Sequence, residues 1–182
     1  MSTNDKAKSV DTVSSGLICG ARPEESAHAT GRFKMQCLDK DGKLKWEAEE
    51  SNLVVNVGLA YMAGSALTSV TAITTWYVGL YGAGAFNTPA AADTMSSHAG
   101  WTENVGYSNA TRVAVTFVTA TTANPSVATN SASPASFNIN ATSTVGGAFL
   151  TSGSAKSGTA GTLFSASDFT SPGDRSVTSG DT

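Results

Sequence analysis

Two carboxylates and a histidine flank a tryptophan in the segment Asp93-Thr94-Met95-Ser96-Ser97-His98-Ala99-Gly100-Trp101-Thr102-Glu103. Paired carboxylates beside an aromatic ring are the residue types of glycoside hydrolysis, one acid protonating the leaving oxygen and the other serving as base or nucleophile. That chemistry needs a defined gap between the two carboxyls, and nothing in this loop sets it. The only histidines are His28 and His98. A metal site needs three or four converging donors, and His98 has only Asp93 and Glu103 near it in sequence. A nucleophilic serine would need His98 as its base, yet no Gly-x-Ser-x-Gly elbow is present. Gly79-Leu80-Tyr81-Gly82-Ala83-Gly84 lacks a third glycine at the spacing of a dinucleotide loop and the Gly-Lys-Ser/Thr of a nucleotide-phosphate loop. It reads as a strand running into a turn. Asn109-Ala110-Thr111 and Asn140-Ala141-Thr142 match the glycosylation sequon, a match that chance supplies in so Thr-rich a chain. The expectation is a protein without catalytic residues, cofactor or metal, in which His98 bonds to backbone or to a neighbouring subunit.

Charge placement points the same way. Seventeen of the 25 charged side chains lie in the first 50 residues, and the other 132 residues hold 40 Ser or Thr. A surface made soluble by hydroxyls suits extracellular β-proteins, fibres and capsid components. The net charge of −3 argues against a nucleic-acid binder, which needs a basic face to displace phosphate counterions. No apolar stretch reaches the length of a membrane-spanning helix, and residues 1–15 lack the apolar core of a signal peptide. Synthesis and retention in a cytoplasm until assembly is therefore expected. Cys19 and Cys37 are the only cysteines. Cys37 falls on an apolar strand face, which predicts a buried free thiol rather than a disulfide to Cys19.

The elements that would position these groups are mostly strands. Residues 32–50 (RFKMQCLDKDGKLKWEAEE) read as a hairpin turning at Asp39-Lys40-Asp41-Gly42. With side chains alternating, Cys37 faces Leu44, Met35 faces Trp46 and Phe33 faces Ala48 on one apolar face. Lys34 then faces Glu47 and Arg32 faces Glu49 on the other face. A short buried helix is expected from Asn56 to Ala66, in the nearly continuous apolar run after Asn52. Further strands are expected at 75–81, 111–119, 136–141, 145–150, 161–164 and 175–177, with 119–134 as a long polar connection. Short strands separated by Gly, Pro, Asn and Ser predict an all-β sandwich or jelly-roll-like domain over residues 32–182, with one short helix. Residues 1–31 lack periodicity and carry few large apolar side chains, which predicts an extended N-terminal arm. Its sticky point is Leu17-Ile18-Cys19, the candidate partner-binding residues.

Several phrases resemble a known group of proteins. Lys40-Asp41-Gly42-Lys43-Leu44-Lys45-Trp46-Glu47, Asn52-Leu53-Val54, Val57-Gly58, Thr75-Trp76-Tyr77-Val78-Gly79-Leu80, Asp93 to Glu103, and Gly161-Thr162-Leu163-Phe164-Ser165 together resemble small virion structural proteins of tailed bacteriophages. The resemblance covers residues 31–182, and the segment from Asp93 to Glu103 is its most specific part. It implies a phage structural role, with head decoration (cement) the favoured one. The partners would be the major capsid protein and further copies of this chain, as a dimer or trimer, with neither nucleic acid nor membrane involved. The chain would be made in the host bacterial cytoplasm and end on the capsid surface. A tail, baseplate or fibre component is the first rival reading. A carbohydrate-binding module using Trp101, Tyr107 and Tyr81 as platforms is the second. Members of the group usually continue past the equivalent of Gly180-Asp181-Thr182 into another alternating strand. The resemblance therefore implies that this strand is either outside the present sequence or supplied by a partner, at a sheet edge near the C-terminus.

Overall fold

In the computed structural model, residues 29–82, 88–170 and 173–182 are described. The chain begins with a hairpin, β1 (Gly31–Leu38) against β2 (Leu44–Val54). Its turn is built by Asp39, whose carbonyl accepts Gly42 N–H at 2.9 Å and whose carboxylate accepts Asp41 and Lys43 N–H at 2.9 Å each. Gly42 has φ +78°, the left-handed conformation that glycine adopts without steric cost. Asp39 therefore pairs with Lys43, and Gly42 is an extra residue in the turn. A second extra residue follows, because Leu38 stands opposite Leu44 while Cys37 stands opposite Trp46. The observed pairs are Cys37 with Trp46, Met35 with Ala48 and Phe33 with Glu50. The expected register is thus displaced by two residues.

Two one-residue bulges displace the pairing but restore its parity, so each strand keeps the expected faces. Cys37 and Ala48 are buried, with Met35 and Trp46 packed against them. Outside, Arg32 meets Glu49 at 2.9 Å and Lys34 meets Glu47 at 3.5 Å, now as diagonal neighbours. Leu44 is the residue that changes most. Expected beneath Cys37, it is half exposed beside the bulge.

The helix α1 (Asn56–Leu67) begins where expected and ends one residue later. Its first N–H groups are met from outside: Asn56 N–H donates to Ala91 O at 2.8 Å, and the preceding Val55 N–H to Phe164 O at 3.1 Å. Burial is the correction here. Gly58 is its one buried residue, while Leu59, Met62 and Leu67 are exposed. The helix rests on a narrow underside. A Cβ at Gly58 would lie 2.3 Å from Phe164 O, so glycine is what lets helix and strand approach so closely. Tyr61 meets Trp76 edge-on at 5.4 Å, and its hydroxyl accepts Ile73 N–H at 2.7 Å.

The remaining strands are β3 (Trp76–Gly82), β4 (Glu103–Asn104), β5 (Val113–Val115), β6 (Ser143–Thr151), β7 (Leu163–Asp168) and β8 (Arg175–Val177). They form one antiparallel sheet in the order β1-β2-β7-β6-β3-β4, with β5 paired to β3 and β8 to β6. The all-β expectation holds, in the form of one curled sandwich-like sheet with a single helix. The expected strand at 111–119 shortens to Val113–Val115 and leaves Phe117 exposed. Residues 136–141 form no strand, although Ile139 bridges Tyr107. The connection over 119–134 is polar and exposed, as expected.

Apolar side chains pack on both faces of the sheet. Leu80 and Tyr81 are successive in β3, point to opposite faces, and belong to different clusters. One cluster gathers Cys37, Leu80, Tyr107, Phe137, Val145 and Phe169. The other gathers Tyr81, Met95, Trp101, Phe149 and Leu163. Glycines admit the large rings: a Cβ at Gly79 would lie 2.3 Å from the Phe149 ring, and one at Gly147 2.3 Å from the Tyr81 ring. The glycines at 79 and 147 are thus packing residues.

Candidate functional site

Asp93 and His98 of the 93–103 segment meet at Trp101, which is buried between Tyr81 at 5.3 Å and Phe149 at 4.9 Å. Asp93 closes the loop. One oxygen of its carboxylate accepts both Ala90 N–H and Trp101 Nε1–H at 3.0 Å. His98 stacks on the Trp101 ring with centroids 3.9 Å apart, and its Nδ1 lies 2.9 Å from Trp101 O. Both features follow from a tight turn, in which Thr94 and Ser97 exchange backbone hydrogen bonds at 2.9 and 3.2 Å. His98 is therefore bonded to backbone, one of the two roles its sequence allowed.

Glu103 faces a different partner. Arg112 grips it through Nε at 2.9 Å and Nη2 at 2.8 Å, in the parallel geometry that makes Arg–carboxylate pairs strong. Both side chains are almost wholly buried, at 1% and 6% exposure. Arg112 also donates to the carbonyls of Gly153 and Gly158 at 2.9 Å each, and Ser157 N–H donates to Glu103 at 2.6 Å. The guanidinium lies 5.2 Å over the Phe149 ring. One ion pair thus pins the 152–159 loop, β4 and the start of β5 together, with its charge matched on every side.

A shallow cleft passes over this cluster, lined among others by Met95, His98, Trp101, Glu103, Arg112 and Ser157. Catalysis there would need a carboxylate free to move a proton. Asp93 and Glu103 are both held in place by donors from their own fold. The sugar-platform residues fail on exposure: Trp101, Tyr107 and Tyr81 are 3%, 1% and 0% exposed. Burial pushes the Tyr81 and Tyr107 phenols above their ordinary range. Among the described residues, no group of three or more His, Cys, Asp and Glu side chains is placed to hold a metal ion. No helix among them is long and apolar enough to cross a membrane.

Cys37 is a buried free thiol. Its sulfur lies 3.6 Å from Asp181, and burial together with that carboxylate pushes it up to about 11. Asp181 is itself a hub near the C-terminus. It accepts Lys45 Nζ at 2.5 Å, Thr178 N–H at 2.8 Å and Thr178 Oγ1 at 3.1 Å. Burial pushes its carboxyl up, but Lys45 and Thr178 outweigh that and hold it below the usual range. The next residue, Thr182, exchanges two backbone hydrogen bonds with Leu38 at 2.8 and 3.0 Å.

The partner-binding candidates Leu17, Ile18 and Cys19 lie outside the described residues, as does nearly all of the expected arm. A different surface emerges on α1. Leu59, Met62, Ala63, Ala66 and Leu67 form one exposed stripe, and Leu67 is 84% exposed. The signal was in the sequence, since these positions follow helical spacing inside a run from Ser51 to Ala92 that has no charged residue. Continuous apolar sequence predicts burial, but it does not say which side of a helix meets the core. Comparison with protein-family models, curated proteins and solved structures finds no match to this chain.

Proposed function

We propose that this chain is a structural protein of a tailed-phage virion, and that it decorates the head by binding the outer capsid surface and bridging neighbouring capsid subunits. The observation that supports it best is the internal use of the chemically capable groups. Asp93 and His98 tie the 90–101 loop to itself, and Glu103, Arg112 and Asp181 tie loops and strands together. Apart from the charged outer face of the β1–β2 hairpin, what the domain turns outward is hydroxyl-rich loop and an uncharged helix, which suits packing against other proteins. The phrase-level resemblance to phage virion proteins supplies the biological setting. Each copy would add a modest interface to two or more subunits, so opening the shell would require losing many contacts together. The partner is then the major capsid protein, with copies of this chain also meeting one another on the shell.

The test is binding to purified, undecorated heads followed by a copy count. Saturable attachment of hundreds of copies per particle, with heads more resistant to heat, is the expected result. A few copies per virion, found with the tail, would replace head decoration by the tail or fibre reading.

A further inference from the structure

We infer that the outward stripe of α1 is a self-association surface, on which the same helix of a second copy of this chain packs. Surface helices of globular domains carry charged residues on the side facing water. Here α1 has none in its first or last turn, and none occurs anywhere from Ser51 to Ala92. Five of its exposed apolar positions, Leu59, Met62, Ala63, Ala66 and Leu67, fall at i, i+3, i+4, i+7 and i+8, with Ala60 exposed at their margin. That is the spacing of a helix seam, and it lies opposite the underside formed by Gly58 and Tyr61. Alanines at the centre let two backbones approach, while Leu59, Met62 and Leu67 flank the contact.

Charge and shape favour a second copy as the occupant. Each chain carries a net charge of −3, so copies meet at lowest electrostatic cost through a face with no charge. A two-fold contact places the same patch on both sides, and an uncharged stripe is compatible with itself. The competing occupant is the chain's own Leu17-Ile18-Cys19, which also sits in uncharged sequence. Three consecutive residues make a compact point, whereas the seam from Leu59 to Leu67 extends for about 12 Å along the helix axis. A helix of equal length and spacing fits it better.

The footprint also sets the strength. A single twelve-residue helix falls well short of the roughly 1,600 Å² buried in a stable interface. The contact is therefore weak between free molecules and forms when copies are held side by side, as on a shell. It deepens the decoration reading by naming the surface through which neighbouring copies touch, and it rests on that reading for its setting alone.

The experiment uses the full chain carrying Ala63→Cys, oxidised at about 1 mM with no capsid present, a concentration suited to so small an interface. A covalent dimer joined through residue 63 of both copies is expected, several-fold more abundant than from a Ser131→Cys control on the exposed loop. Adding Leu59→Lys and Leu67→Lys should abolish that dimer while leaving thermal unfolding unchanged. Dimer no more abundant than the control, or an intrachain bond from Cys19 to residue 63, would overturn the inference, the latter making the arm the occupant. The measurement contains no phage component, so failure to bind heads and failure of the helix contact are read separately.

Discussion

Arg112 holds Glu103 through two parallel hydrogen bonds of 2.9 and 2.8 Å while donating to the carbonyls of Gly153 and Gly158. A carboxylate that sequence could pose as a catalytic acid is thereby, on β4, half of a buried structural clamp. Removing one partner leaves the other buried and unmatched. Arg112→Ala is expected to lower stability by about 3–5 kcal/mol in urea unfolding. The paired change Arg112→Met with Glu103→Leu should cost clearly less, because both charges go together. Equal losses in the two variants would show that packing, and not the unmatched charge, dominates.

Asp181 gives the fold a pH dependence of definite sign. Its carboxyl titrates below its ordinary value in the folded chain, so its contribution is fully present above the unfolded value and disappears as pH falls through the folded one. Asp181→Asn should therefore lose about 2 kcal/mol near neutral pH, where Lys45 and Thr178 lose a charged acceptor. The gap between the two proteins should close as pH falls below the carboxylate range. Melting temperatures from pH 7 downward test this, and a constant gap would remove the linkage.

Gly79 tests the packing of the second cluster. Its missing side chain leaves room for the Phe149 ring, which a Cβ would approach to 2.3 Å. Gly79→Ala should destabilise by about 1–3 kcal/mol through overpacking. Combining it with Phe149→Leu should recover part of the loss. Additive losses in the double variant would mean that the two residues do not compete for one space.

The N-terminal arm is the one expected part that lies largely outside the described residues. Its composition carries too little apolar surface to fold alone, so deleting residues 1–25 should leave a folded domain with a nearly unchanged melting temperature. The same deletion should markedly weaken occupancy on capsids if Leu17, Ile18 and Cys19 anchor the chain to a partner. Full occupancy by the truncated protein would reduce the arm to a tail. Loss of folding would make it part of the core.

Amino-acid order alone carried what depends on local periodicity. The alternation in residues 32–50 determined which side chains of the hairpin share a face, and the two-residue displacement left those faces intact because the strand repeat is two. The start of α1 at Asn56 and the strand cores around Val78, Phe149 and Val177 were legible for the same reason. Tertiary structure decided what depends on partners distant in sequence. The pairing Cys37 with Trp46 required a second bulge that no residue type announces. Arg112 reached Glu103, and Lys45 reached Asp181, across chain separations that spacing cannot measure. The outward stripe of α1 shows the boundary most clearly. Its sequence determined a charge-free helix with apolar residues on more than one side, but only packing on Phe164 and Trp76 decided which side met the core. A helix's period sets the angles between its residues, and the contact that anchors it sets which of those angles points to water.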